Sequence, residues 1–183
     1  KHGAAVLSLS VPRDTVRKTS LKELWSIAEE TAAEHGKAMR REEWGIVMGC
    51  HLADSRKEAF DDIRMGSGRV VTEYFGKTLG NPVPNAPFDK IVDHMVEANQ
   101  WIVGTPDDCI AGIRRLQEIS GGFGSFMIRV EDWAPRDKIH RSYELLARYV
   151  MPQFQGSLTG IINSNQLASE RKEALQANRM AGL

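Results

Sequence analysis

Three short, almost wholly apolar runs alternate with capped helical segments, and this alternation constrains the fold more than any other feature of the sequence. The runs are AAVLSL from residue 4, WGIVMGC from residue 44 and SFMIRV from residue 125. Apolar runs of this length are typical of strands covered on both faces, as in parallel sheets. We therefore predict an α/β fold of parallel βα units with right-handed crossovers.

The helix starts are marked by capping residues. Ser20 with Glu23 and Ser55 with Glu58 match the capping box, and Thr105 comes directly before a proline and two aspartates. From these signals and from apolar spacing we predict helices over 21–35, 55–75, 88–99, 106–120 and 138–150, the last ending before Pro152, and a helical tail from about residue 163.

Three parallel strands are too few to form a closed sheet by themselves. They fit three consecutive strands of an eight-stranded βα barrel, with a small three-layer sandwich as the alternative. The predicted division is a barrel portion over 1–160 and a helical extension over 161–183. The start at Lys1, immediately before a strand, suggests a chain cut from something longer or described only in part.

The glycine-rich GGFG, residues 121–124, resembles a phosphate-binding loop but follows a helix and precedes a strand. In a parallel array that position lies at the amino ends of the strands, whereas ligands bind at the carboxyl ends. We interpret Gly121 as a left-handed helix terminator and the motif as a turn. The candidate functional face therefore comprises residues 8–19, 51–54 and 130–135, and the WIVGT segment from Trp101 is expected to return to it.

Candidate ligand-contacting residues on this face are few. His51 could touch a substrate, and Arg129 could hold an anion inside the barrel or ion-pair with a neighbouring strand that this chain lacks. Ser8 and Ser10 could hydrogen-bond a cofactor or only nearby backbone, and Trp133 could wall a planar ligand or pack at the rim. No catalytic residue is assigned.

Other chemistry is disfavoured by the sequence. Cys50 and His51 are adjacent, but further ligands at zinc spacing are missing, and we interpret Cys50 as a small core residue. The 24 basic and 24 acidic residues balance, which argues against a nucleic-acid or membrane partner, and the apolar runs are too short to span a bilayer. Two cysteines give no disulfide framework, so a cytoplasmic location is expected.

Long segments of the chain resemble the bacterial-luciferase-like flavin-dependent monooxygenases, in the limonene-monooxygenase-like branch. They are KHGAAVLSLSV, EETAAEHGKAMRREEWGIVMGCHLADSRKEA, VGTPDDCIAGIRRLQEISGGFGSFMIRVEDWA and HRSYELLARYVMPQFQGS, in order over residues 1–160. VGTPDD and VMPQF are the most specific pieces, and both belong to the scaffold.

The resemblance implies the C-terminal part of a (β/α)₈ barrel, strands six to eight, and oxygenation of a small apolar substrate, suggested to be terpene-like, by O₂ and reduced FMN from a separate reductase. It places most flavin contacts in the N-terminal half that this chain lacks. It leaves Ser8, Ser10 and Trp133 as candidate flavin contacts. A deazaflavin-dependent oxidoreductase, or a catalytically silent fragment acting in assembly, are the other readings.

The resemblance also implies a mobile insertion over residues 52–104, with the proline-rich stretch 76–87 at its tip. Helix parity instead puts that tip near the amino ends of the strands, so its position is left open. Because a half-barrel exposes sheet edges and an apolar interior, we expect the isolated chain to be unstable, to bind a complementary half or to self-associate.

Overall fold

Four parallel strands form one sheet, with helices against both of its faces, in a computed structural model that describes residues 3–9, 19–156, 159–172 and 176. The strands are β1 (Leu7–Leu9), β2 (Gly45–Leu52), β3 (Trp101–Gly104) and β4 (Ser125–Arg129). The α-helices are α1 (Leu21–Glu34), α2 (Arg56–Arg69), α3 (Ile91–Glu97), α4 (Pro106–Ser120), α5 (Arg136–Leu145), α6 (Met151–Phe154) and α7 (Thr159–Glu170). The predicted parallel α/β class is confirmed.

Strand β2 is the centre of the sheet and pairs with all three other strands. β4 lies along β2 from Gly45 to Gly49, whereas β1 takes the first part of the opposite edge and β3 the last part, where Gly104 lies beside Leu52. The sequence reading missed β3 as a strand, because its four residues are too few to show periodicity. Its expected position at the carboxyl end of β2 is correct.

Most predicted helix starts are confirmed, and two predicted helix ends are wrong. Reciprocal capping boxes are present at Ser20 and Thr105, whereas the Ser55 side chain only accepts from the Glu58 backbone N–H. The helix after Ser55 changes at residue 70 into a π-helix, Val70–Thr78. Pro152 does not end the last barrel helix, since a second π-helical segment, Leu146–Val150, leads into α6, where a proline is tolerated in the first turn.

The hydrophobic core consists of two separate clusters, and alternate residues of β2 enter the first of them. Ile46, Met48, Cys50 and Leu52 face α1, α4 and α5. The opposite face is covered only toward the carboxyl end, where α2, α3, β3 and Trp133 pack together. We call this second face the inner face. Because only its carboxyl-terminal part is covered, its amino-terminal part is open.

The GGFG motif is a turn at the amino ends of the strands, as predicted. Gly121 ends α4 with a φ of 77°, and the Arg41 guanidinium donates to the carbonyl oxygens of Ser120 and Gly122 at 2.8 and 3.1 Å. Gly124 passes directly over the backbone of Glu42. No ligand is needed to explain these glycines, because the turn at 41–44 fills the space beside them.

The inner face exposes apolar side chains at its open end. Leu7, Leu9 and Met127 are 61%, 46% and 47% exposed. By register they belong to one face, because Leu7 pairs with Gly45, Leu9 with Val47, and Met127 with Val47 from the other side. Among the described strands, none pairs with the outer edge of β1 or of β4, so both edges are open there.

Candidate functional site

A cavity of about 190 Å³ lies on the inner face, beside the carboxyl end of β4. Gly49 makes room for Trp101, which lines this cavity: a Cβ at position 49 would lie 2.7 Å from Cδ1 of Trp101, so only glycine lets the indole lie across β2. Arg129, the last residue of β4, pairs with Gly49 from the other side. Because Trp101 and Arg129 both pair with Gly49, they lie on the same face of the sheet, on the two sides of β2.

The remaining walls come from the insertion between β2 and β3. Val71 and Phe75, four residues apart on the π-helix, line the cavity together with Met95 from α3, and Val83 and its flanking prolines close it from the irregular stretch. π-Helical turns are rare and are found frequently at functional sites. The tip of the insertion thus lies beside Arg129, at the carboxyl end of β4, which answers the question of its position that the sequence left open.

Arg129 supplies the charged group of the cavity, and it is already partnered. Its Nε lies 2.9 Å from Oε1 of Glu131, and its Cζ lies 5.1 Å from the centroid of the Phe75 ring. Arg129 is thus on the inner face, as one interpretation required, but its ion pair forms within its own segment. His94 and Gln100 are the other polar residues that line the cavity. The assignment of Arg129 to a substrate stays a prediction.

His51 lies deep in the protein and outside this cavity. The side chain is 1% exposed, and its Nε2 lies 3.3 Å from Oδ2 of Asp62 on α2. The Lys138 ammonium joins this group, 3.5 Å from Asp62 and 2.6 Å from Glu58. These side chains tie β2, α2 and α5 together. The contact between His51 and a substrate stays a prediction, and the buried position of His51 does not add support to it.

The burial of His51 should make stability depend on pH near neutrality. Burial lowers the pKa of His51 below its ordinary value of 6.5, and the nearby Asp62 only partly opposes this. The unfolded chain then binds more protons, so stability is complete above pH 6.5 and falls below it, by at most about 1.4 kcal/mol per pH unit. Urea denaturation between pH 5.5 and 8 should show this slope.

The control is His51→Gln, which removes the titrating group. The Asp54 and Asp61 carboxyl groups have pKa values lowered by hydrogen bonds to Arg141 and Lys57, so their protonation affects stability only in more acidic solution. An equal slope in the variant and in the original chain would show that His51 is not responsible.

Of the three candidate cofactor contacts, the two that lie among the described residues, Ser8 and Trp133, do not come together. Ser8 faces the side of the sheet that packs against α1, α4 and α5, where its Oγ accepts a hydrogen bond from Nε1 of Trp44 at 3.0 Å. Ser10 lies outside the described residues. Trp133 is 2% exposed and packs edge-on against Trp101, with ring centroids 5.0 Å apart. Its Nε1 has no hydrogen-bond partner among the described residues. All three assignments stay predictions.

Cys50 and His51 face opposite sides of β2, which separates them chemically. Cys50 lies with Cys109 of α4, their Sγ atoms 4.0 Å apart, and this hydrogen bond together with burial raises the pKa of the Cys50 thiol. Cys50 is thus a core residue, as interpreted. Within the described ranges, we find neither a cluster of three or more metal-binding side chains nor a helix able to cross a membrane.

Comparison with curated proteins finds two monooxygenases similar to this chain. The chain is 38% identical over 180 residues to 4-hydroxyprotoasukamycin monooxygenase of Streptomyces nodosus subsp. asukaensis, covering 97% of this chain and 48% of that protein. It is 35% identical over 187 residues to limonene 1,2-monooxygenase of Rhodococcus erythropolis, covering 96% and 47%. The chain matches both monooxygenases along nearly its whole length, which supports the resemblance to the luciferase-like monooxygenases. It spans about half the length of these curated relatives, and no family model matches it.

Solved structures of luciferase-like monooxygenases share the fold. The oxygenating constituent of 3,6-diketocamphane monooxygenase from the CAM plasmid of Pseudomonas putida, in complex with FMN, matches with a TM-score of 0.61 at 24% identity, over 80% of this chain and 42% of that one. A monooxygenase from Streptomyces bottropensis matches with a TM-score of 0.60 at 22% identity, over 83% and 42%. These matches support the predicted barrel relationship at the level of fold.

Reasoning from the sequence missed most of the cavity. Trp101 was placed only within a segment that returns to the functional face, and Phe75 and Val83 were not named as candidates. Two signals could have identified them: a glycine inside an apolar strand, which marks a close approach by another group, and a proline-rich stretch within an insertion. Neither signal names the residue that approaches Gly49, since Trp101 lies more than fifty positions further along the chain.

Proposed function

We propose that this chain is the C-terminal part of an FMN-dependent monooxygenase, in which reduced flavin and O₂ oxygenate a small, apolar organic substrate. The observation that carries the proposal is the match to two monooxygenases over 97% and 96% of the chain. Strands β1, β2 and β4 would be strands six, seven and eight of the barrel. The exposed inner face and the two open sheet edges fit that placement.

The cavity beside Arg129 is too small to be a complete flavin site. A cavity of about 190 Å³ is smaller than the roughly 300–1,000 Å³ of sites for drug-sized ligands, and FMN is a molecule of that class. Ser8 points to the other side of the sheet. We therefore assign to this chain one wall of the active site, with flavin contacts supplied by the remaining strands.

Flavin chemistry of this kind requires a site that excludes water and holds the substrate beside the cofactor. Trp101, Phe75 and Arg129 would serve the second purpose, and the insertion over the inner face would serve the first. Both curated relatives are monooxygenases, which favours oxygenation over hydride transfer. A deazaflavin-dependent reductase, the F420-dependent tetrahydromethanopterin reductase from Methanopyrus kandleri, is similar only in fold, with a TM-score of 0.52 at 18% identity.

The test is complementation of the half-barrel. The chain would be co-expressed with the part of the Rhodococcus limonene 1,2-monooxygenase that it does not match, and FMN and F420 would be titrated into the purified complex. We expect a stable complex that binds FMN, and incorporation of ¹⁸O from O₂ into limonene when a reductase supplies reduced FMN. Dynamic light scattering of the chain without its complement should show self-association.

Two outcomes would contradict the proposal. If the complex forms and binds F420 but not FMN, hydride transfer replaces oxygenation. If it forms and binds neither cofactor, the silent-fragment reading is correct. Tight binding of FMN to the chain without its complement would instead show that the flavin site is not shared between two halves.

A further inference from the structure

We propose that the cavity over Gly49 is the substrate pocket, and that it takes a compact, uncharged, single-ring compound with one hydrogen-bond acceptor, oriented toward Arg129. A cyclic ketone is the simplest compound of this class. Calling this ligand the substrate rests on the proposed function. The binding of such a compound does not, because all ten residues that line the cavity belong to this chain.

The size of the cavity limits the ligand to about one ring. An engineered protein cavity of about 150 Å³ binds benzene, and this one measures about 190 Å³. The space is therefore enough for a six-membered ring with one or two substituents. Longer chains or fused aromatic systems would require the insertion to move away from β3.

The walls favour an apolar ring. Seven of the ten residues that line the cavity are apolar, and they come from four parts of the fold: the π-helix, the irregular stretch around Val83, α3 and β3. Trp101 offers the largest flat surface, fixed against Gly49 on one side and against Trp133 on another. Burial of one ring on this surface supplies most of the binding free energy.

The polar end of the cavity favours an uncharged acceptor. The guanidinium of Arg129 is held over Phe75 and carries five N–H donors in a rigid fork. Its charge is balanced by Glu131, at 2.9 Å, and both side chains are about one-quarter exposed or less. A carboxylate ligand would meet Glu131, whereas a carbonyl oxygen can accept a charge-assisted hydrogen bond without disturbing the ion pair.

The experiment is calorimetric titration of the full chain, without flavin, with three probes that share a ring: cyclohexanone, cyclohexanecarboxylate and methylcyclohexane. We expect cyclohexanone to bind most tightly. Val83→Phe should weaken binding by about tenfold or more, because the larger side chain fills part of the cavity. A tenfold change in affinity corresponds to about 1.4 kcal/mol of binding free energy. Because Val83 is 43% exposed, the variant should fold normally.

The matched control is Leu79→Phe, at an exposed position on the same insertion that does not line the cavity, and it should bind cyclohexanone unchanged. Arg129→Met should remove the preference for cyclohexanone over methylcyclohexane. Equal binding of all three probes, preference for the carboxylate, or unchanged binding by Val83→Phe would each overturn the proposal. Because no flavin is present, these outcomes are independent of the complementation experiment.

Discussion

Gly124→Ala is expected to lower the free energy of unfolding by about 3 kcal/mol or more, a large fraction of the roughly 5–15 kcal/mol that stabilises an ordinary protein. A Cβ at this position would lie 1.8 Å from the carbonyl oxygen of Glu42, which is backbone and cannot rotate away. The two segments cannot separate freely either, because the Gly124 N–H donates to the carbonyl of Trp44 at 3.0 Å. Urea denaturation followed by circular dichroism measures the loss.

Gly160→Ala is the matched control. Gly160 lies in α7, and nothing lies within 4 Å of a Cβ placed there. Alanine is favoured over glycine inside a helix by about 0.5–1 kcal/mol, so this variant should be as stable as the original chain or slightly more so. If both variants denature at the same urea concentration, the close approach of Gly124 to Glu42 does not constrain the fold.

Trp44→Ala should cost about 3–5 kcal/mol, the range measured when large buried aromatic residues are truncated. Trp44 is 0% exposed and stacks on Trp25 with ring centroids 4.9 Å apart. The Arg41 guanidinium lies 5.8 Å from its centroid, and its Nε1 donates to Ser8. Loss of the indole therefore removes the contact that joins β1, β2 and α1. The same denaturation experiment measures the effect.

Trp44→Phe separates packing from hydrogen bonding. The smaller ring keeps an aromatic surface against Trp25 but leaves the Ser8 hydroxyl without its donor, so we expect a loss between those of the original chain and the alanine variant. Equal losses in the phenylalanine and alanine variants would show that the hydrogen bond, and not the ring packing, carries the effect. A loss below about 1 kcal/mol for alanine would contradict both contributions.

The parts of the fold that are coded locally could be predicted from the sequence. Apolar runs identified β2 and β4, capping residues identified the starts of α1 and α4, and Gly121 identified the turn. Each of these signals involves residues within a few positions of one another. The parallel arrangement followed from the order of the elements alone.

The parts that depend on distant residues could not be predicted. Strand β3 is apolar over only four residues, and what makes it a strand is its pairing with β2. The π-helix keeps the apolar spacing of an ordinary helix, so the sequence pattern does not reveal the wider turn that brings Val71 and Phe75 to the cavity. The environment of His51 also depends on another element of the fold, because its partner Asp62 lies on α2.

The insertion leaves the sheet and rejoins it at nearly the same point. Leu52 lies beside Gly104, and the Ala53 N–H donates to the Gly104 carbonyl at 3.0 Å, so entry and exit are neighbours. A segment anchored in this way can be exchanged as a module, because doubling a loop's length costs only about 0.6 kcal/mol in closure entropy. Grafting the corresponding segment of a related monooxygenase between these anchors would replace all the residues that the insertion contributes to the cavity, while β1, β2 and β4 stay unchanged.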